Sequence, residues 1–112
     1  MQFEDLEVWK TTEKLILDVY KICKEIKDFG FRNQIQRASI SIANNISEGY
    51  ERQTIKEKQR FLRIAKGSCG EVRNMLHFGF KLGYVSERQY NELYEQCILI
   101  SKMMYVFIKK IN

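Results

Sequence analysis

His77 is the only histidine of the chain, and Cys23, Cys69 and Cys97 are its only thiols. Nucleophilic catalysis needs a hydroxyl or thiol beside a base, and general acid–base catalysis needs a positioned group that titrates near the working pH. Helical spacing puts His77 on the side of its segment away from the apolar stripe, so no triad assembles around it. The cysteines are odd in number and lack CxxC spacing, which fits reduced core thiols better than a disulfide frame or a zinc site. Glu48 and Glu71 are placed to approach Arg37, where a structural ion pair or cap explains them better than an acid–base pair. A carboxylate metal centre in a helical bundle would repeat Glu-x-x-His, and the chain has no such motif. The expectation is a non-enzyme with no catalytic residue, no cofactor, no metal and no small-molecule substrate.

Charge offers a different chemistry. Lysine and arginine number 19 against 14 acids, a net charge of +5, but residues 1–30 carry five basic and seven acidic side chains whereas residues 55–82 carry seven and two. At about 100° per residue, Lys56, Arg60, Arg63 and Lys81 share one outer sector of a helix, with Gly67, Gly70 and Asn74 between them and Arg52 just before. Such a stripe can follow a phosphate backbone, each neutralised phosphate releasing counterions. Two alternatives stay open: a solvated face that keeps the protein soluble, and a protein-interaction adaptor whose basic stripe meets an acidic partner without nucleic acid. Phe78 is the aromatic group best placed beside the stripe, so base-specific reading of RNA or DNA is not indicated.

The elements that must position these residues are helices. With 112 residues, 45% of them apolar, and no proline, the chain suits one domain, residues 1–112, rich in uninterrupted helix. Apolar recurrence at three and four positions marks four segments. The first runs from about Asp5 to Lys27 with Val8, Thr12, Leu15, Val19, Ile22, Cys23 and Ile26 on one face, and Gly30 suits the turn after it. The second, from about Arg32 to Glu51, has a narrow stripe of Ile35, Ala38, Ile42, Ile46 and Gly49, which implies a close helix approach. Thr54 with Glu57 reads as a capping box that starts a third helix on Phe61, Ala65, Ser68, Val72, Met75, Gly79 and Leu82, widened by Leu62, Cys69 and Leu76. Gly83 ends it. Ser86 with Gln89 starts the fourth, on Tyr90, Leu93, Cys97, Ile100, Met104, Phe107 and Ile111. Short connections make sequential helices neighbours, so the expected fold is all-α, an antiparallel up-down-up-down four-helix bundle.

One bundle cannot hide two faces. Leu99, Met103 and Val106 form a second apolar stripe on the fourth helix, outside its core face, and Leu17, Ile40 and Phe78 also point off their own cores. Stripes of this kind often mark partner surfaces. The longest apolar run, Met103 to Ile108, is far below the roughly 18 residues that a bilayer requires, so no membrane span is expected. The acidic amino terminus, Met1-Gln2-Phe3-Glu4-Asp5, is unlike a secretory signal, and an untargeted intracellular protein is expected.

Several stretches also carry a resemblance: Phe3-Glu4-Asp5-Leu6-Glu7-Val8-Trp9, Gln34-Ile35-Gln36-Arg37-Ala38, Ser41-Ile42-Ala43-Asn44-Asn45-Ile46-Ser47-Glu48-Gly49, Arg60-Phe61-Leu62-Arg63-Ile64-Ala65-Lys66-Gly67-Ser68 and Leu82-Gly83-Tyr84. Together they resemble the bacterial four-helix bundle family encoded in intervening sequences of 23S ribosomal RNA genes. Members often have proline at the position of Ala43 and a residue or two more before the second helix. The resemblance implies a small cytoplasmic helical protein that assembles as a ring, commonly a homopentamer, with the Leu99, Met103 and Val106 stripe as the expected homo-oligomer interface. It also extends to the accessory proteins of diversity-generating retroelements, which bind nucleic acid with a reverse transcriptase through a basic surface. No activity is attached to the intervening-sequence branch, and its ribosomal-protein label reflects gene location.

Overall fold

Thr54 and Ser86 begin the helices that follow them. In the computed structural model, which describes residues 1–111, Thr54 Oγ1 accepts from the Glu57 amide at 3.2 Å and Ser86 Oγ from the Gln89 amide at 3.1 Å. Each bond satisfies an N–H that the first helical turn leaves unpaired. Of these two caps, Ser86 is the complete box, with Gln89 Oε1 accepting from the Ser86 amide at 2.8 Å; at Thr54 the hydroxyl half alone forms. The elements in order are a short 3-10 turn at Phe3–Asp5, then α1 (Glu7–Cys23), α2 (Phe29–Glu51), α3 (Ile55–Lys81) and α4 (Glu87–Lys110).

Two boundaries differ from the sequence reading. α1 stops at Cys23, because the next amides turn back on carbonyls three residues earlier: Lys24 on Lys21, Glu25 on Ile22 and Ile26 on Cys23. Ile26 is still buried, reaching the core from the turn rather than from a helix. Gly30 is not the turn; it lies in the first turn of α2, which starts early because Asp28 Oδ1 accepts from the Phe31 amide at 3.1 Å and caps it. The same carboxylate accepts from Tyr84 Oη at 2.8 Å, tying the start of α2 to the α3–α4 connection. Gly83 fills its expected place: at φ +80° it takes the left-handed conformation that stops α3, while the Tyr84 amide closes on Gly79 O at 2.8 Å.

The helices pack in chain order, α1 on α2, α2 on α3, α3 on α4, and α4 back on α1, with α2–α3 the most extensive pairing. Short connections reverse the chain each time, so this is the antiparallel four-helix bundle, about one helix long at 43 × 22 × 20 Å. The expected faces of α1 and α2 fill the core, with Phe31 and Ser39 added to the second. On α3 the core is centred on Leu62, Ala65, Cys69, Val72, Leu76 and Gly79. Phe61 and Met75 are half-buried, and Leu82, read as core, is 59% exposed because α3 ends before it. The α2–α3 seam is partly polar: Ser41 Oγ and Ser68 Oγ lie 2.9 Å apart, and Asn45 Nδ2 donates to Ser41 O at 2.8 Å and to its Oγ at 3.1 Å.

Candidate nucleic-acid interface

The cap at Thr54 starts α3, and burial of its Leu62, Ala65, Cys69, Val72, Leu76 and Gly79 face fixes which side of the helix turns outward. Lys56, Arg60, Arg63 and Lys81 are all exposed on its outer side. The rise of a helix spaces the first three over about 10 Å and leaves about 27 Å between Arg63 and Lys81. None of these four forms an ion pair among the described residues. Arg52 is different, since its Nη2 donates to Glu48 Oε2 at 2.8 Å. That contact also corrects the expected company of Glu48, which pairs with Arg52 instead of Arg37. Phe61 is the hinge of this corner: the Arg52 guanidinium lies 4.7 Å from its ring centroid and that of Arg60 lies 5.0 Å away. These contacts hold both arginines at the end of the stripe.

Between Arg63 and Lys81 the outward positions are Gly67, Gly70, Glu71, Asn74, His77 and Phe78, all exposed, and the one formal charge among them is the Glu71 carboxylate. A cleft of about 390 Å³ opens beside them between α3 and α4, lined by Gly70, Arg73, Asn74, His77, Tyr90 and Tyr94. Arg73 Nη2 donates to Tyr94 Oη at 3.1 Å, and the guanidinium sits 5.2 Å from the Tyr94 ring centroid. Through that hydrogen bond the Arg73 pKa is raised further. Sequence reasoning missed this group. Its signal was the spacing of Tyr90 and Tyr94 one turn apart on α4, but their position opposite Arg73 depends on the register between two helices.

The α4 stripe divides. Met103 and Val106 line a groove of about 600 Å³ between the start of α1 and the end of α4, with Leu6, Phe107 and Ile111 as further apolar walls and Lys102 and Lys110 at its edges. Leu99 lies outside this groove, 50% exposed one turn earlier on the same face, and Val106 is 48% exposed. The cysteines are buried and free. Cys69 Sγ donates to the Cys97 backbone carbonyl at 3.2 Å; the neighbouring Cys69 thiol and burial push the Cys97 thiol well above its ordinary pKa, and burial raises that of Cys23. His77 stands edge-on to Phe78 at 5.3 Å. Among the described residues no three His, Cys, Asp or Glu side chains gather as a metal site, and no helix is long and apolar enough to cross a membrane.

The family model described as 23S rRNA-intervening sequence protein matches residues 4–106. A solved structure from Bacteroides thetaiotaomicron, described as a protein with unknown function from the S23 ribosomal protein family, is similar over 92% of this chain and 99% of its own, with 25% sequence identity and a TM-score of 0.86. No curated protein matches the sequence.

Proposed function

Because the chain belongs to the 23S rRNA-intervening sequence protein family, we propose that it is a non-enzymatic, self-associating helical bundle that binds nucleic acid, or an RNA–protein complex, through the outer face of α3. The observation that carries this reading is the set Lys56, Arg60, Arg63 and Lys81, exposed together on one helix and unpaired with carboxylates among the described residues. Arg52 flanks the set as a positioning group held by Glu48. Self-association rests on the α1–α4 groove with Met103 and Val106, continued by Leu99, an apolar face that a second copy would cover. A ring, five subunits by family resemblance, repeats the α3 face around its axis, so weak phosphate contacts act together.

Fluorescence anisotropy with labelled RNA and DNA at two salt concentrations tests the reading. Binding should weaken steeply with salt, and Arg60→Glu with Arg63→Glu should abolish it while helicity and mass are kept. Absence of binding by the parent at low salt, or equal binding by the double variant, would leave the adaptor reading in its place. Sedimentation equilibrium at micromolar concentration should give an oligomer, loosened by Met103→Glu, which places an unpaired charge in the interface.

A further inference from the structure

The basic face of α3 is interrupted at its middle, and the interruption coincides with the α3–α4 cleft. Gly70 and Asn74 belong to both: they lie in the outward sector of Lys56, Arg60, Arg63 and Lys81, and they line the cavity. Gly70 leaves its part of the cleft open, since a Cβ there would meet nothing within 4 Å. The opposite wall is aromatic. It consists of Tyr90 and Tyr94 of α4, with ring centroids 5.4 Å apart, and Phe80 of α3, which is not part of the lining, stacks on Tyr90 with centroids 5.1 Å apart and planes at 23°. Arg73 pins the far end of this row through the Tyr94 hydroxyl with one N–H of Nη2; its Nε is buried without a partner among the described residues, which leaves the remaining Nη1 and Nη2 hydrogens to meet a ligand.

We propose that this cleft takes one unstacked nucleotide of a single-stranded nucleic acid running along the α3 face, its base against Tyr90 and Tyr94 and its phosphate toward Arg73. The inference rests on the nucleic-acid reading above and deepens it by naming the strand state. Three features support it. Aromatic faces beside a cationic track are the general means of holding unpaired bases, because every base has a π-face and stacking needs no particular sequence. Asn74 carries both a donor and acceptors at the mouth, matching the mixed edge of a base, and His77 adds a second polar group there. The volume, about 390 Å³, falls in the range of small-ligand sites, roughly 300–1,000 Å³. A duplex keeps its bases paired and stacked inside, so it can touch the cations but cannot fill the cleft.

The test uses the full chain, a labelled single-stranded oligoribonucleotide, and the same strand annealed to its complement. The parent should bind the single strand about tenfold more tightly than the duplex, the effect of one stacked base. Gly70→Leu fills the cleft from a position where the fold has space, and should bring single-strand affinity down about tenfold with duplex affinity unchanged. The double change Arg60→Glu and Arg63→Glu should abolish binding of both. If Gly70→Leu binds the single strand as the parent does, or loses both probes equally, while the double change still abolishes binding, the cleft is overturned and the basic face stands. If the parent binds neither probe, both readings fall. Tyr94→Ala, with helicity checked by circular dichroism, provides a second removal of the wall and should reproduce the selective loss.

Discussion

Replacing Gly49 with alanine probes the closest approach between α2 and α3. A Cβ there would lie 3.2 Å from Lys58 O, 3.3 Å from Leu62 Cγ and 3.3 Å from Phe61 Cβ. Leu62 can shift its side chain, but Lys58 O is helix backbone and retreats only if α3 does. Lys58 Nζ also donates to Tyr50 O at 2.8 Å beside this contact, so separation stretches a second tie. Overpacking of this kind costs about 1–3 kcal/mol. The gain in helix propensity offsets up to about 1 kcal/mol, less here because Gly49 is in the last turn of α2. The net loss should be about 1–2 kcal/mol, a fall in Tm of roughly 4–8 °C for a domain of this size. Gly67→Ala and Gly70→Ala are the matched controls: both lie within α3, and a Cβ at either meets nothing within 4 Å. Each should raise stability by up to about 1 kcal/mol. Thermal unfolding followed by circular dichroism reads all three, and the reasoning is refuted if Gly49→Ala melts at or above the parent.

The remaining expectations concern the seam, the acid limit and the thiols. Ser41→Ala should cost more in urea unfolding than Ser68→Ala, roughly 1–3 against about 1 kcal/mol, because losing the Ser41 hydroxyl deprives both Ser68 and Asn45 of a partner, whereas losing Ser68 leaves Ser41 bonded to Asn45. The Phe31 amide and Tyr84 hydroxyl hold the Asp28 carboxyl below the ordinary aspartate value of 3.8, so its stabilisation is complete above that pH and is lost as pH falls through the lower folded value. Asp28→Ala should accordingly lower Tm at neutral pH, and the gap to the parent should narrow in melts recorded at increasingly acid pH. Cys69 and Cys97, fully buried, should react with a water-soluble maleimide only as fast as the bundle opens; rapid labelling of the native protein would contradict the packing of α3 on α4.

Where the determining interactions span a few residues, the sequence was enough. Thr54 and Ser86 start their helices because a hydroxyl reaches an amide three residues on, and Gly83 stops α3 because it tolerates a positive φ. The core faces of α1 and α2 follow from helical period, and the cations of α3 share one side for the same geometric reason. The early start of α2 was less legible: Asp28 was one of several polar residues between two apolar runs, and its second bond, to Tyr84, comes from 56 positions away. Tertiary structure alone decided which side chains share space across helices. It set Arg52, at the end of α2, over the Phe61 ring of α3, and brought Arg73 of α3 to Tyr94 of α4; the Glu48–Arg52 pair, four residues apart at the end of α2, is by contrast a local contact within reach of helical spacing. Period places a residue on a face to within a fraction of a turn, but the axial register of one helix against the next is set by the fit of all their buried side chains at once. The α3–α4 cleft exists only in that register.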